Sequence, residues 1–312
     1  MQESLAQEIL AKIKPAQRIC LVMHQRPDAD ALGSAAAFGA FLTAQKISFA
    51  YYCKTGTGFP QEAGFFGLFN TECPAEIASN TECPAGHSVL NRENIKTFNP
   101  DLIISFDSGD LKHAGLETLL MPPPAQTTPD PSLKRRGNCQ QFPPLTEWIS
   151  PPARGGVRSG GSGRVGAKPF IINFDHHSTN AYFGNINIIE TQSASTTEVI
   201  YHFFQALRFP ISTKIAAYLL AGILIDTDHF SNPATSASAL KMAGELLAQG
   251  VSLTQIRQIL FERRGMDALC LIGEILTRLQ KNKRWGIAIT YVDDEDLKKY
   301  NLNFEELEGM TN

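Results

Sequence analysis

The sequence lacks the features that define several large protein classes. Its six cysteines are scattered and none forms a Cys-x-x-Cys pair, which argues against a disulfide framework and a thiolate zinc site. No apolar run approaches the roughly 20 residues of a membrane span, and the N-terminus shows no signal-peptide core. We therefore expect a soluble, cytoplasmic protein without a membrane partner.

The chain also lacks a strong charge of either sign, with 28 basic and 31 acidic residues and a formal net charge of −3. A protein that coats long nucleic acid through bulk positive charge is thus disfavoured, while a local basic groove stays open. Apolar residues make up 43% of the chain and charged residues 19%, which excludes wholesale disorder. The length of 312 residues suggests about two domains.

Short apolar runs that end in polar residues recur along the chain. Each is interpreted as a strand, and together they cover residues 19–23, 102–106, 170–174 and 219–225. Such runs, separated by helical segments, predict an α/β fold with a parallel sheet and helices on both faces. Because ligands bind beyond the carboxyl ends of parallel strands, the residues after each run are candidates for one shared site.

Carboxylates and imidazoles follow these runs almost immediately. In chain order they are His24, Asp28, Asp30, Asp107, Asp175, His176, His177 and Asp226. Four or more carboxylates in one crevice would repel one another unless cations neutralised them, and the mixed oxygen and nitrogen donors suit Mn²⁺. Two ions about 3.5–4 Å apart would also activate a bridging water as a nucleophile for phosphorus. The residues alone predict a dinuclear phosphoesterase without identifying its substrate.

The loop after the first run carries further residues with expected roles. Gly33 is expected to let the backbone turn tightly. Ser34 is expected at the start of a helix, where free backbone N–H groups favour a phosphate, which makes it a candidate substrate-binding residue. The alternative is an ordinary capped loop with solvated acids.

Taken together, the motifs resemble those of the DHH phosphoesterase family. They are His24-x-x-Pro27-Asp28-x-Asp30-x-x-Gly33-Ser34, Asp107, Asp175-His176-His177 and Asp226-Thr227, in the order of the family. Within that family the chain looks most like the bifunctional enzymes that degrade short oligoribonucleotides and dephosphorylate 3′-phosphoadenosine 5′-phosphate (pAp). The resemblance covers most of the chain outside residues 121–168.

The resemblance implies a role for each motif residue. The two implied ligand sets are His24, Asp28 and Asp107 for one Mn²⁺, and Asp30, Asp107, His176 and Asp226 for the second. Asp107 would thus bridge the ions, for which Mg²⁺ or Co²⁺ are possible substitutes. His177 would contact the scissile phosphate as a donor or general acid. Asp175 would orient the histidine pair, with a strand-end cap as an equal alternative.

The resemblance also implies partners and a division into domains. Residues 1–250 would form the catalytic domain, and residues 251–312 a helical connector and the start of a second, smaller α/β domain. That second domain is expected to be truncated, because the glycine-rich motif usual in relatives is missing. The substrates would be short single-stranded oligonucleotides, released as 5′-mononucleotides, or pAp, and a homodimer stays open.

The C-terminal portion shows helical patterns followed by a strand-like run. The helices are expected at residues 236–248, 253–261 and 268–280. The strand-like run at 285–292 has no visible partner in the sequence.

Residues 121–168, rich in proline, glycine and basic side chains, predict a disordered insertion. A tolerated insertion without a role is favoured over a basic arm that binds nucleic acid. Other functions stay open beside the leading one. They are a truncated non-catalytic homologue that binds metal or nucleotide, a RecJ-type exonuclease and a cyclic-dinucleotide phosphodiesterase.

Overall fold

The structure is a computed structural model that describes residues 1–54, 88–90, 94–120, 168–261 and 266–302. The predicted insertion lies outside the described residues except for Lys168. Within these ranges, no helix combines the length and the apolar character needed to cross a membrane.

A six-stranded sheet lies at the centre of the fold, and all its neighbouring strands are parallel. The strands are β1 (Ile19–Met23), β2 (Phe49–Tyr52), β3 (Ser88–Leu90), β4 (Leu102–Phe106), β5 (Phe170–Asp175) and β6 (Ile186–Ile189). Their order is β3-β2-β1-β4-β5-β6. The direction of travel across the sheet therefore reverses between β1 and β4, which is where open α/β sheets bind ligands.

Helices cover both faces of this sheet. They are α1 (Glu3–Ile13), α2 (Ala29–Ala44), α3 (Asn94–Phe98), α4 (Glu117–Leu120), α5 (Thr196–Ala206), α6 (Thr213–Asp226), α7 (Ala237–Leu247), α8 (Leu253–Phe261), α9 (Met266–Thr277) and α10 (Asp294–Lys299). The larger core lies under α2, α5 and α6, where the rings of Phe38, Phe174 and Phe203 pack together. A smaller core on the opposite face includes Tyr52 and Ile95. The predicted parallel sheet with helices on both faces is confirmed.

The run at residues 219–225 is not a strand, so that prediction was wrong. It forms the second half of α6, which begins after Ser212, whose hydroxyl accepts a hydrogen bond from the backbone N–H of Ile215. Helix α6 packs against α2, α5 and α7, and most of its residues are buried. A helix buried on all sides has no polar face, so its sequence lacks the helical periodicity that would have identified it. Asp226 is thus the last residue of a helix.

The expected places of Gly33 and Ser34 were also wrong. Helix α2 begins at Ala29, so both residues lie inside the helix and neither lies at its start or in a turn. Asp28 caps α2 by accepting hydrogen bonds from the backbone N–H groups of Asp30 and Ala31. A Cβ on Gly33 would lie 2.5 Å from the carbonyl oxygen of Tyr218, so this glycine permits close helix packing instead of a turn. Ser34 is fully buried, and its hydroxyl has no hydrogen-bond partner among the described residues. It does not present a helix N-terminus to a ligand.

The C-terminal portion confirms two of the predicted helices, α7 and α8. Helix α9 ends at Thr277, earlier than predicted, and the chain continues into β7 (Gln280–Asn282). This strand pairs with β8 (Ile287–Ile289) in an antiparallel hairpin, which supplies the partner that the sequence did not reveal. The division at residue 250 stays a prediction.

Candidate metal centre

The candidate site lies at the carboxyl ends of three neighbouring strands. His24 follows β1, Asp107 follows β4, and His176 and His177 follow β5. Asp107 continues the pairing of its strand, since its backbone N–H donates to the carbonyl of Phe174 at 2.9 Å. The parallel register therefore brings side chains together that are far apart in sequence.

The first group of possible metal ligands consists of His24, Asp28 and Asp107, whose ligand atoms lie within 4.8 Å of one another. His24 Nε2 lies 3.4 Å from Asp107 Oδ2 and 3.8 Å from Asp28 Oδ1. The other ring nitrogen, Nδ1, lies 2.8 Å from the carbonyl oxygen of Gln25. That contact orients the ring so that Nε2 faces the carboxylates.

The second group consists of Asp30, His176 and Asp226, with ligand atoms again within 4.8 Å. His176 Nε2 lies 3.3 Å from Asp226 Oδ2, and its Nδ1 lies 3.4 Å from the carbonyl oxygen of Ser193. Asp226 reaches this group from the end of α6 because that helix runs towards the carboxyl ends of the strands. Asp226 therefore enters the site from the end of a helix and not, as predicted, from the end of a strand.

Asp107 contacts both groups. Its Oδ2 faces His24, and its Oδ1 lies 3.8 Å from His176 Nε2. The backbone at Asp107 is left-handed, with φ of 54°, a conformation that aspartate and asparagine adopt more readily than most residues. The geometry thus provides two adjacent donor groups with one carboxylate between them. We call the six residues of these two groups the metal-ligand cluster: His24, Asp28, Asp30, Asp107, His176 and Asp226.

Asp175 is fully buried and binds the histidine pair. Its Oδ1 accepts hydrogen bonds from the backbone N–H groups of His176 and His177 and lies 2.8 Å from His177 Nδ1. Its Oδ2 accepts from the side-chain amide of Asn180, which also donates to the carbonyl of Ser108 at 3.1 Å. Asn180 therefore connects Asp175 to the loop that carries Asp107.

The electrostatics of the cluster suit a divalent cation. Burial and the charge of Asp107 raise the pKa of Asp30 to about 6, and burial together with Asp30, Asp28 and Asp107 raises the pKa of Asp226 well above its usual value. Burial lowers the pKa of His24, but hydrogen bonds and charges from Asp107 and Asp28 outweigh it and raise that pKa to about 11. Without a cation, protons offset the crowded negative charge. Carboxylate oxygens and imidazole nitrogens in this arrangement could hold metal ions.

These pKa shifts predict that divalent-cation binding strengthens as pH rises from 6.5 to 8.5. His24 keeps its proton at neutral pH in the cation-free protein and must lose it to become a ligand, so each released proton gives about a tenfold gain in affinity per pH unit. Calorimetric titration in two buffers of different ionisation enthalpy measures the released protons directly. An affinity independent of pH, with no proton release, would contradict this expectation.

The sequence analysis did not identify the first turn of α5 as part of the site, although its residues donate hydrogen bonds to Asp30 and Asp107. The backbone N–H groups of Thr196 and Thr197 donate to the two oxygens of Asp30 at 2.6 and 2.9 Å. The Thr196 hydroxyl donates to Asp107 Oδ1 at 3.0 Å. A signal was present, because the segment Ser195-Thr196-Thr197-Glu198 has the spacing of a capping box, which marks a helix N-terminus.

His113 was missed as well. Its ring stacks on that of His24 with centroids 4.7 Å apart and planes inclined by 18°. The carbonyl of His113 accepts from the backbone N–H of Gln25 at 3.0 Å, so the loop after β4 is attached to the loop after β1. No sequence motif marks this contact.

Comparison with known proteins identifies relatives for part of the chain. No protein-family model matches it. The Thermus thermophilus protein named bifunctional oligoribonuclease and PAP phosphatase NrnA is 33% identical over 113 residues, covering 36% of this chain and 35% of the relative. The Bacillus subtilis protein of the same name is 28% identical over 144 residues, covering 45% of each. The chain thus matches less than half the length of these curated relatives.

A solved structure resembles nearly the whole chain. The crystal structure of an exopolyphosphatase-related protein from Bacteroides fragilis superimposes with a TM-score of 0.69 over 98% of this chain and 74% of that chain. At 17% sequence identity, this likeness shows the fold alone. The resemblance that the motifs predicted, to bifunctional oligoribonucleases and pAp phosphatases, is confirmed by the curated relatives.

Proposed function

We propose that this chain is a phosphoesterase that hydrolyses short oligonucleotides to 5′-mononucleotides, and pAp to AMP, with two Mn²⁺ ions. The observation that carries the proposal is the position of Asp107 between two groups of carboxylate and imidazole donors. Its sequence support is the similarity to curated proteins named bifunctional oligoribonuclease and PAP phosphatase. We propose the same activity and substrates, together with a cytoplasmic location, for the whole protein.

From the two donor groups we propose which residues hold each ion. His24, Asp28 and Asp107 would hold one ion, and Asp30, His176 and Asp226 the other. Asp107 would be shared, since its two oxygens face His24 and His176. When bound, the two ions would neutralise phosphate charge and lower the pKa of a water molecule. Both functions would favour attack on a phosphodiester near neutral pH.

Neighbouring carboxylates position the His177 ring and favour its protonated form. The hydrogen bond that His177 Nδ1–H donates to Asp175 Oδ1, supported by the Asp107 and Asp175 charges, outweighs burial and raises the pKa of His177 to about 9. In the cation-free protein the imidazole is therefore protonated at neutral pH. Because Nδ1 is engaged with Asp175 and the side chain is 49% exposed, Nε2–H is the group able to donate to a phosphate or leaving oxygen.

Product analysis by mass spectrometry tests the proposal. The full chain is incubated with Mn²⁺ and either a 5′-phosphorylated diribonucleotide or pAp, and a parallel sample contains a chelator. We expect mononucleotide from the first substrate, AMP from the second, and neither with the chelator. Bound Mn²⁺ without product from either substrate would instead support a non-catalytic binding protein. In parallel incubations with a long single strand and with a cyclic dinucleotide, cleavage of one of these alone would favour a RecJ-type exonuclease or a cyclic-dinucleotide phosphodiesterase.

A further inference from the structure

A pocket of about 550 Å³ opens beside the metal-ligand cluster. Its walls are two loops, residues 191–194 between β6 and α5 and residues 233–236 between α6 and α7. His176, His177 and Asp226 line its inner end. We call this space the loop pocket. Its volume lies within the range of pockets that bind small molecules, so it has room for more than the phosphate group at the metal ligands.

The lining of the loop pocket is neutral beyond its inner end. Among the described residues that form it there is no lysine or arginine, and its only carboxylate is Asp226. A chain of phosphates would need cationic side chains along its length, which these walls do not provide. The pocket therefore favours an uncharged part of a ligand whose phosphate lies at the cluster.

The polar groups of the walls suit hydroxyls and the edge of a base. Thr191, Gln192 and Thr235 add hydroxyl and amide groups, and the Thr235 hydroxyl has no hydrogen-bond partner among the described residues although the atom is buried. An amide both donates and accepts hydrogen bonds, as does a ribose hydroxyl. The described walls contain no Phe, Tyr or Trp, so recognition would depend on hydrogen bonds and shape instead of stacking.

We propose that the loop pocket binds the nucleoside, ribose and base together, of a nucleotide whose phosphate lies at the metal-ligand cluster. This inference rests on the proposed function and adds to it the place where the nucleoside is recognised. It assigns the two loops a binding role that is separate from the metal ligands.

A variant that fills the pocket provides the test. Ala234 is exposed and lines the pocket, so Ala234→Trp places a bulky side chain there without touching the core. Binding of AMP and of inorganic phosphate is measured by calorimetry in the presence of Mn²⁺. We expect AMP affinity to fall about tenfold or more, equivalent to about 1.4 kcal/mol, while phosphate affinity changes less than about twofold.

A second pair of variants separates a hydrogen bond from bulk. Gln192→Leu should weaken AMP binding by about threefold to tenfold through loss of the amide. Gln249→Leu, an equally exposed change in the turn after α7, should leave AMP binding unaltered. The KM for the diribonucleotide should rise in parallel with the loss of AMP affinity.

The outcomes distinguish this inference from the proposed function. AMP binding that depends on Ala234 and Gln192, without hydrolysis of any substrate, would support the nucleoside pocket and overturn the phosphoesterase proposal. Hydrolysis with AMP affinity unchanged in Ala234→Trp would overturn the pocket and leave the phosphoesterase proposal standing. Equal losses of AMP and phosphate affinity, or no AMP binding by the unmodified chain, would also overturn the pocket.

Discussion

Replacing Asp107 with asparagine is expected to lower hydrolysis of a 5′-phosphorylated diribonucleotide by roughly a thousandfold or more, because several kcal/mol of transition-state stabilisation depend on the cations. Asp107 is the carboxylate that contacts both donor groups, through Oδ2 towards His24 and Oδ1 towards His176. An amide removes its negative charge and one of its two ligand oxygens. Both cation subsites should therefore weaken together.

Asparagine is a cleaner replacement than alanine at this position. The backbone at Asp107 has φ of 54°, and asparagine tolerates this left-handed conformation much better than alanine does. The carbonyl oxygen of the introduced amide can also still accept the hydrogen bond that the Thr196 hydroxyl donates to Asp107 Oδ1. Loss of activity in Asp107→Asn would thus report the missing charge and ligand, not a strained backbone.

Asp110→Asn is the matched control, since it makes the same chemical change in the same loop. Asp110 is exposed, and its Oδ1 accepts from the backbone N–H of His113, which asparagine can also do. We expect Asp110→Asn to keep activity within about threefold of the unmodified chain. Steady-state rates together with counted bound cations give the comparison. Substantial turnover by Asp107→Asn would remove Asp107 from the shared position assigned to it.

The sequence predicts those parts of the site in which a candidate ligand directly follows an apolar strand. β1, β4 and β5 are short, mostly apolar runs followed by His24, Asp107 and the histidine pair, and a parallel sheet must bring such strand ends together. The sheet and the neighbourhood of the site were therefore predictable. The ligand roles of the individual residues stay predictions that cation binding to variants can test.

Other features depend on tertiary packing and leave a weaker signal. Helix α6 is buried on all sides, so its apolar run carries no periodicity that separates a helix from a strand. The contact of Asn180 with Asp175 and Ser108 joins residues up to 72 positions apart, and no local pattern encodes it. The stacking of His113 on His24 likewise depends on how two loops meet.

Gly222 in α6 lies against Asp30 of the metal-ligand cluster and against the first turn of α5. A Cβ at this position would lie 2.4 Å from Thr197 Cγ2 and 2.6 Å from Asp30 Oδ1. Both neighbours are fully buried, and Asp30 is held by the backbone N–H groups at the start of α5, so neither can move freely. The absence of a side chain at Gly222 is therefore a condition for the position of Asp30.

Gly222→Ala is expected to lower the free energy of unfolding by about 1–3 kcal/mol, the usual cost of overpacking a core. This loss would exceed the gain of about 0.5–1 kcal/mol that alanine normally brings to a helix interior. Because Asp30 would be displaced, the stabilisation that Mn²⁺ gives to the folded chain should shrink as well. Chemical denaturation with and without Mn²⁺ measures both effects.

Gly244→Ala makes the same change in a helix where nothing opposes it. Gly244 lies in α7, and a Cβ there would have no neighbour within 4 Å among the described residues. This variant should be about 0.5–1 kcal/mol more stable than the unmodified chain and should keep the full response to Mn²⁺. Opposite signs for two identical substitutions would attribute the loss in Gly222→Ala to the crowded contact with Asp30 and Thr197. Equal stability and equal response to Mn²⁺ in the two variants would show that α6 can move away from Asp30 at little cost.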